Sequence, residues 1–186
     1  AILNGESYDT SMGFTPVDGL IMGTRCGSTD PGALIYIAEK EGINLDRLSV
    51  MINKESGMLG ITGVSSDMRD IRAAAESGNP RAELAIEMFA ARIKKFVGAY
   101  AALMEGIDMI VFTGGIGEND PGTRERVSKG LEFMGVKFDP EVNRGVRGKD
   151  VVLSAPDSRV KVVTIATNEE LVIASDTFRL TKKRSE

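Results

Sequence analysis

Apolar residues recur every three or four positions over much of the chain, and this spacing predicts a series of helices. The longest is expected over residues 80–105, where Asn79-Pro80 provides a helix start and charged residues separate the apolar ones. Shorter helices are predicted over residues 31–41, 45–55 and 66–76. The long helix is expected to form the core against which the others pack.

Two uninterrupted apolar runs, residues 108–113 and 160–166, have the length and β-branched content of buried strands. The chain also begins with an extended segment that turns through Asn4-Gly5, a dipeptide typical of β-hairpins. The sequence therefore predicts two buried strands and a hairpin near the start of the chain.

Further helices are expected over residues 121–134, between the two buried strands, and over residues 167–181, after them. Residues 13–30 are predicted to form a long loop and residues 141–150 a linker. The order is hairpin, helices, strand, helix, strand, helix. It predicts an α/β domain with helices on at least one face of a mixed sheet.

The composition is that of one ordinary globular domain. The 186 residues are 42% apolar and 27% charged, enough for one hydrophobic core. A net charge of −4 with scattered basic residues argues against nucleic-acid binding, and no window reaches the roughly 18 consecutive apolar residues of a membrane span. Cys26 is the single cysteine and the start lacks a signal segment, so we expect a cytoplasmic protein without an internal disulfide.

Two further features of the whole chain narrow the expectation. Histidine is absent, so any catalysis has to use carboxylates, arginines, backbone dipoles and a metal held by oxygen. The chain starts at Ala1 and enters an extended segment at once. We interpret this abrupt start as that of the C-terminal part of a longer protein.

The first buried strand runs directly into Gly114-Gly115-Ile116-Gly117, and a helical pattern follows. Glycines let a ligand approach the backbone closely, and exposed N–H groups before a helix favour an anion, so this segment is predicted to bind phosphate. A dinucleotide fingerprint would need glycine in place of Asp120, and a Walker A loop would need Gly-Lys-Ser/Thr over residues 122–124. The alternative is an ordinary glycine-rich turn between strand and helix.

Arg25 lies in a loop between Gly23 and Gly27. A planar guanidinium on a glycine-flanked loop suits bidentate contact with phosphate or carboxylate. The alternative is a surface arginine that ties the loop to a nearby carboxylate.

Two other places carry candidate binding residues. Asp67 could cap a helix or accept a hydrogen bond from a ribose hydroxyl, and Arg69 could stack on a base. Glu169 and Glu170 follow the second buried strand, where a carboxylate could hold a metal beside nucleotide phosphates or could complement a helix dipole.

Four segments in this order resemble the C-terminal half of the acetokinase family, the acetate kinases. They are residues 9–16 (DTSMGFTP), 22–25 (MGTR), 111–119 (VFTGGIGEN) and 167–171 (TNEEL). The resemblance extends over residues 1 to about 180, and family members are roughly twice as long. It implies that the N-terminal half is missing here.

The fold that this resemblance implies is the ribonuclease H-like domain of the superfamily of acetate and sugar kinases, heat-shock chaperones and actin. Two such domains close on ATP across a cleft. Residues 1–186 would then be the C-terminal nucleotide-binding domain, truncated at its N-terminus, with the last helix, from about residue 168, packed partly on the missing domain. A homodimer is also expected.

The resemblance also implies roles for individual residues. Arg25 would be the catalytic cation that steadies the transferring phosphoryl group, and Glu169 would be a ligand of Mg²⁺. The implied nucleotide-binding residues are Asp67, Met68 and Arg69 at the adenosine, and Gly115, Ile116, Gly117, Glu118 and Asn119 at the phosphates and nucleoside. Family members often carry an aromatic residue where this chain has Met68.

The implied reaction is reversible phosphoryl transfer from ATP to the carboxylate of acetate, which gives acetyl phosphate and ADP. The family uses a histidine-containing phosphate loop, an Asp and an Arg from outside this segment. The 186-residue chain alone is therefore expected to show no turnover and at most weak nucleotide affinity.

Three alternatives stay open. A propionate or butyrate kinase would share the same loops, and a noncatalytic actin-like or chaperone-like module would bind nucleotide without transferring phosphate. A nicotinamide enzyme would need an acidic residue about 20 positions after the glycines, at the end of a second strand. The sequence Phe138-Asp139-Pro140 fits that requirement poorly, because proline breaks the strand pattern.

Overall fold

The chain folds as two compact units, Ala1–Ile107 and Asp108–Glu186, and the computed structural model describes residues 1–182 of them. The sequence predicted one domain over residues 1–186. Whether the two units act as one domain stays a prediction. Among the described residues, the structure contains no helix that combines the length and the apolar character needed to cross a membrane.

The first unit opens with the predicted hairpin. Strands β1 (Ile2–Leu3) and β2 (Glu6–Ser7) pair antiparallel. Asn4 and Gly5 between them have φ of 54° and 82°, and positive φ at both central residues is what a two-residue hairpin turn requires. The hairpin prediction is confirmed.

Five helices of the first unit follow. They are α1 (Pro31–Glu41), α2 (Leu45–Lys54), α3 (Gly57–Thr62), α4 (Met68–Glu76) and α5 (Pro80–Leu103). Side chains of Asp30, Asn44, Asp67 and Asn79 accept N–H groups at the starts of α1, α2, α4 and α5. Only α3 was not predicted, because its six residues include two glycines and carry no clear polar stripe.

The core of the first unit lies where α5 packs on α3 and α4. Its buried side chains are Ile21, Met58, Met68, Ile71, Ala82, Ala85, Ile86 and Phe89. The alanines of α5 bring the helix axes close together, so the short α3 and α4 are held against a long straight support.

The second unit contains the mixed sheet that the sequence predicted. Strand β3 (Met109–Phe112) pairs parallel with β5 (Lys161–Thr164), and β4 (Val151–Val152) pairs antiparallel with β5. The strand order is β3-β5-β4. Because β3 and β5 are parallel, their carboxyl ends lie side by side, and the segments that leave those ends meet.

The helices of the second unit are α6 (Gly114–Asn119), α7 (Pro121–Ser128), α8 (Pro140–Arg144) and α9 (Glu169–Lys182), with a 3₁₀ turn at Glu132–Met134. The single helix predicted over residues 121–134 is wrong. The backbone turns extended at Lys129, and Gly130 has φ of 85°, so the α-helix ends at Ser128.

The linker predicted over residues 141–150 is wrong at its start, where α8 lies. The Asp139 carboxylate accepts N–H groups of Glu141 and Val142, both at 3.0 Å, and Pro140 begins the helix. Aspartate followed by proline is a helix start that the sequence contained, in a segment too short to show periodicity.

Candidate functional site

The backbone of the Arg25 loop, residues 22–26, rests on the start of α3. Met58 and Leu59 donate their N–H groups to the carbonyls of Met22 and Gly23, at 2.8 and 2.9 Å, and Ser56 donates to Thr24 at 3.0 Å. These donors belong to the first turn of a helix, where N–H groups have no partner within the helix. The carbonyls of the loop therefore supply the hydrogen-bond acceptors that the first N–H groups of α3 lack.

The end of α2 holds the same loop from another side. The Thr24 hydroxyl donates to the carbonyl of Asn53 at 2.9 Å, and the N–H of Cys26 donates to the carbonyl of Ile52 at 3.0 Å. Within the loop, Met22 N–H donates to the Arg25 carbonyl at 3.1 Å. Hydrogen bonds on both sides give the loop one backbone shape.

The Arg25 guanidinium itself is half-buried, and its Nη1 lies 4.0 Å from the Met22 sulfur. In the part of the chain that the structure describes, no carboxylate forms an ion pair with it. Among the described residues, Arg25 is therefore not a surface arginine that ties its loop to a carboxylate. A fixed loop presents a cation whose charge is available to an anion.

The start of α4 lies against the Arg25 loop. A Cβ at Gly23 would lie 3.0 Å from the carbonyl oxygen of Ser66, the residue before Asp67. The structure thus brings two of the predicted sites, the Arg25 loop and the Asp67 turn, together within the first unit.

Asp67 caps α4 and binds Arg69. Its carboxylate accepts the Arg69 N–H at 2.8 Å and the guanidinium at 2.6 and 3.0 Å. The Arg69 side chain and then its backbone N–H lower the pKa of Asp67 to about 2. Capping, the simpler alternative for Asp67, is confirmed, and a ribose contact stays a prediction.

The Met68 side chain lies in the core of the first unit, and the contact of Met68 with adenosine stays a prediction. Its side chain is 8% exposed and packs in the core with Ile71 and Ile86. It faces the core because it opens an amphipathic helix whose other side carries Arg69 and Asp70. The Met68 side chain therefore does not stack on a base, and any contact with adenosine would come from its main chain.

The glycine segment of the second unit is a short helix rather than the predicted open loop. Residues Gly114–Asn119 form α6 directly after β3. Gly117 packs tightly on the end of β3, because a Cβ there would lie 3.1 Å from the Phe112 carbonyl carbon. At Gly115 a Cβ would meet no described atom within 4 Å, so the space over this residue is open.

Glu118 joins the two parallel strand ends. Its carboxylate accepts the N–H groups of Gly114 and Thr167, each at 2.8 Å, and the Thr113 and Thr167 hydroxyls lie 2.7 Å apart. The Thr167 N–H, the Thr167 hydroxyl and the Gly114 N–H together lower the pKa of Glu118. The predicted contact of Glu118 with phosphates thus competes with a structural role, because its carboxylate already holds α6 to the turn before α9.

Gly115, Ile116 and Asn119 form the exposed side of α6. The Asn119 side chain donates to the Gly115 carbonyl at 3.0 Å, which steadies the helix without closing the open space. Of the five residues predicted here, these three lie where a ligand could contact them.

Arg124 is a residue that the sequence did not single out. Its side chain is fully buried, with 0% exposure, and runs from α7 to the end of α6. It donates to the carbonyls of Gly117 (2.8 Å), Glu118 (2.9 Å), Val146 (2.7 Å) and Asn143 (3.3 Å) and to the Asn143 side-chain oxygen (2.7 Å).

The cost of burying the Arg124 charge is offset by these acceptors. Burial lowers the pKa of Arg124, and the nearby Asp120 carboxylate acts in the opposite direction. The carbonyls of Gly117 and Glu118 belong to the C-terminal end of α6, where partial negative charge collects. Arg124 therefore fixes the far end of α6, as Glu118 fixes its start. An arginine in a polar helix gives no sequence signal of this kind.

Glu169 is the first residue of α9 and is exposed. The Asn168 side chain accepts the Leu171 N–H at 3.0 Å and caps the helix. Within residues 1–182, no group of three or more metal-ligating side chains comes together. Glu169 therefore lies outside any such group, two residues after the Thr167 turn that Glu118 holds.

Known proteins match nearly the whole of this chain. Residues 1–175 match the acetokinase family. The acetate kinase of Porphyromonas gingivalis is 55% identical over 182 residues, which cover 98% of this chain and 46% of that protein. The acetate kinase of Bacteroides thetaiotaomicron is 56% identical over 183 residues, with coverage of 98% and 46%.

Solved structures show the same fold. The crystal structure of Porphyromonas gingivalis acetate kinase matches with a TM-score of 0.93 at 54% identity and covers 97% of this chain and 45% of that one. A propionate kinase from Francisella tularensis matches with a TM-score of 0.86 at 42% identity, covering 94% and 44%. The predicted α/β fold is confirmed, and the chain spans about half the length of the relatives it matches.

Proposed function

The chain belongs to the acetokinase family, and we propose that it supplies the ATP-binding half of a kinase that transfers a phosphoryl group reversibly between ATP and the carboxylate of acetate, giving acetyl phosphate and ADP. Relatives named acetate kinase, at 55% and 56% identity over nearly the whole chain, support this proposal. The structural observation that carries it is the Arg25 guanidinium, held on a hydrogen-bonded loop without a carboxylate partner among the described residues.

Arg25 would act on the charge of the transferring group. An acetate carboxylate needs no deprotonation before it attacks, so catalysis depends on positioning and on neutralising charge at the phosphoryl oxygens. A guanidinium on a fixed loop does this without reorganisation during the reaction. Arginines in this role raise kcat by about 10³ to 10⁵ in phosphoryl-transfer enzymes.

The residues proposed to bind the nucleotide lie in two segments, α6 and the start of α4. Gly115, Ile116 and Asn119 are exposed on α6, after the parallel strand β3, and carboxyl ends of strands are the usual ligand sites of α/β sheets. Asp67 and Arg69 would lie at the adenosine, with the Arg69 side chain, 89% exposed, as the mobile partner.

Glu169 fits a magnesium site that the nucleotide completes. Mg²⁺ in proteins is usually bound by one or two carboxylates, phosphate oxygens and water, and an exposed carboxylate at the start of α9 is suited to this. The ion would supply positive charge to the phosphates. The role of the chain is to hold Glu169 near α6, through the hydrogen bonds of Glu118 to Gly114 and Thr167.

The rest of the intact protein is part of the same proposal. Helix α9 exposes apolar side chains, among them Leu171 (60%), Ile173 (66%) and Phe178 (66%). They would pack on the N-terminal half of a protein about twice as long, as the 46% coverage of the relatives suggests. We propose that the intact kinase is a cytoplasmic homodimer.

Propionate is the second candidate acceptor. The Francisella tularensis propionate kinase shares 42% identity and the fold of this chain, so the residues described here do not discriminate between the two acids. Their carboxylates are identical, and the difference of one methylene is read by an apolar pocket.

The proposal is tested on the intact kinase with ATP and acetate, propionate or butyrate, by trapping the acyl phosphate with hydroxylamine. Arg25→Ala should lower kcat by about 10³-fold or more while the KM for ATP changes little. Arg47→Ala is the control, because Arg47 lies in the same unit and pairs with Glu55 at 2.6 Å. Equal kinetics of the two variants, or absence of acyl phosphate with all three acids, would contradict the proposal.

A further inference from the structure

Gly57 lies beneath the Arg25 loop and leaves no room for a side chain. It is buried and has φ of +63°. A Cβ at this position would lie 2.6 Å from the Arg25 carbonyl oxygen and 3.0 Å from the Thr24 carbonyl carbon, and closer still to the Met22 carbonyl oxygen. All three are backbone atoms, so they cannot rotate away as a flexible side chain would.

The contact matters because Gly57 precedes the donors that hold the loop. Met58 and Leu59 reach the carbonyls of Met22 and Gly23 at 2.8 and 2.9 Å only if the backbone of residue 57 touches the loop. Any side chain at this position would separate the loop from these two N–H groups. The two hydrogen bonds therefore depend on the absence of a Cβ at residue 57.

We propose that Gly57 is a positioning residue for phosphoryl transfer, which sets the place of Arg25 through the backbone of the loop. The proposal rests on the proposed function, in which Arg25 is the catalytic cation. The guanidinium is carried by a loop whose Met22, Thr24 and Arg25 carbonyls surround Gly57. A displacement of the loop by about 1 Å is enough to cost about 100-fold in rate when a catalytic group must be aligned.

The other end of the same helix supplies a matched control. Gly63 ends α3 with φ of +67°, nearly the value at Gly57, and is exposed. A Cβ at Gly63 would meet no described atom within 4 Å. Gly63→Ala therefore imposes the same left-handed backbone strain on the same helix without touching the Arg25 loop. A difference in kcat between Gly57→Ala and Gly63→Ala then measures the effect of the contact between residue 57 and the loop.

The experiment is a kinetic comparison in the intact kinase, with ATP and the preferred carboxylate. Gly57→Ala should lower kcat by about 100-fold and change the KM for ATP less than about 3-fold, whereas Gly63→Ala should stay within about 3-fold of the parent in both. Circular dichroism melting gives the folded fraction of each variant at the assay temperature, and kcat is corrected for that fraction before the variants are compared.

A double-mutant cycle separates positioning from general damage. In the Arg25→Ala background, Gly57→Ala should cost less than about 3-fold, because the group that it misplaces is already gone. Multiplicative effects, or equal kcat for Gly57→Ala and Gly63→Ala, would overturn the proposal. If Arg25→Ala leaves kcat unchanged, the proposed function itself fails. If Arg25→Ala lowers kcat and Gly57→Ala matches its control, only the positioning role fails.

If Gly57→Ala does not fold, a second variant tests whether the backbone of the loop positions Arg25. Thr24→Val removes the hydroxyl that donates to the Asn53 carbonyl at 2.9 Å and keeps the volume of the side chain. It should lower kcat in the parent and leave the Arg25→Ala variant unchanged. An unaltered kcat for a folded Thr24→Val variant would then overturn the proposal.

Discussion

Replacing Arg124 should destabilise the second unit more than replacing any exposed arginine of the chain. Arg124→Met keeps an unbranched apolar stem of four atoms and removes the guanidinium. The carbonyls of Gly117 and Val146 would then lose donors at 2.8 and 2.7 Å, whereas the Glu118 carbonyl would keep the Gly148 N–H at 3.3 Å.

The magnitude follows from the number of acceptors. A buried acceptor without its donor costs about 1–3 kcal/mol, so the carbonyls of Gly117 and Val146 and the Asn143 side-chain oxygen give a gross loss of about 3–9 kcal/mol. Removing the charge also removes the cost of its desolvation, and nearby groups rearrange to find partners. A net loss of about 4 kcal/mol is therefore expected, which is large for a single substitution.

The assay is thermal and urea unfolding of the 186-residue chain, followed by circular dichroism. A loss of about 4 kcal/mol corresponds to a decrease in Tm of about 8–16 °C for a chain of this size. Hydrogen exchange measured by mass spectrometry should locate the effect in peptides from α6 and the α8 region, because these segments share Arg124.

Arg144→Met is the control for this prediction. Arg144 lies on α8 with a side chain 73% exposed and pairs with Glu141 at 2.8 Å, so its loss should change stability by less than about 0.5 kcal/mol. Arg124→Lys should lose most of the stability that Arg124→Met loses, because one ammonium cannot reach both α6 and Val146. A Tm for Arg124→Met within about 2 °C of that for Arg144→Met would refute the reasoning.

Three further predictions concern Glu118, Met68 and the activity of the chain by itself. The lowered pKa of Glu118 means that its ionised form stabilises the folded state above the unfolded value of 4.5, and that this contribution is lost as pH falls through the folded pKa. The Tm difference between the parent and Glu118→Gln should accordingly be constant near neutral pH and shrink below pH 4.5, and a difference independent of pH would contradict the bridge to Thr167. Met68→Ala should destabilise the first unit by about 2–5 kcal/mol in urea unfolding, whereas an effect below about 1 kcal/mol would argue against its place in the core. The chain alone should form no acetyl phosphate from ATP and acetate, and turnover detected by hydroxylamine trapping would show that the missing half is not required.

Much of the local structure could be predicted because its causes are close in sequence. The turn at Asn4-Gly5 needs positive φ at two neighbouring residues, and both residue types tolerate it. The starts of α1 and α5 depend on Asp30-Pro31 and Asn79-Pro80, where the capping side chain and the first turn are adjacent. The two parallel strands were visible for the same reason, as uninterrupted apolar runs, but β3 is buried only at Ile110 and Phe112, since Met109 and Val111 are exposed.

The sequence indicated some residues of the candidate site and not others. Residue types and spacing indicated Arg25, the α6 glycines and Glu169 as candidates, because each lies in a short segment of unusual composition. Arg124 and Gly57 gave no such sign. An arginine in a polar helix and a glycine before an apolar pair are ordinary until the residues around them are known.

The sequence alone determined the helices and strands, the turn chemistry and the segments that resemble the acetokinase family, since all of these depend on side chains within a few positions of one another. Only the tertiary structure decided which of these side chains are buried and which distant groups they hold. Glu118 meets Thr167 across 49 residues, Arg124 meets Val146 across 22, and Gly57 meets the Arg25 loop more than 30 residues upstream. Such contacts depend on how the elements pack, and the packing energy of a position is a property of its neighbours in space rather than in sequence.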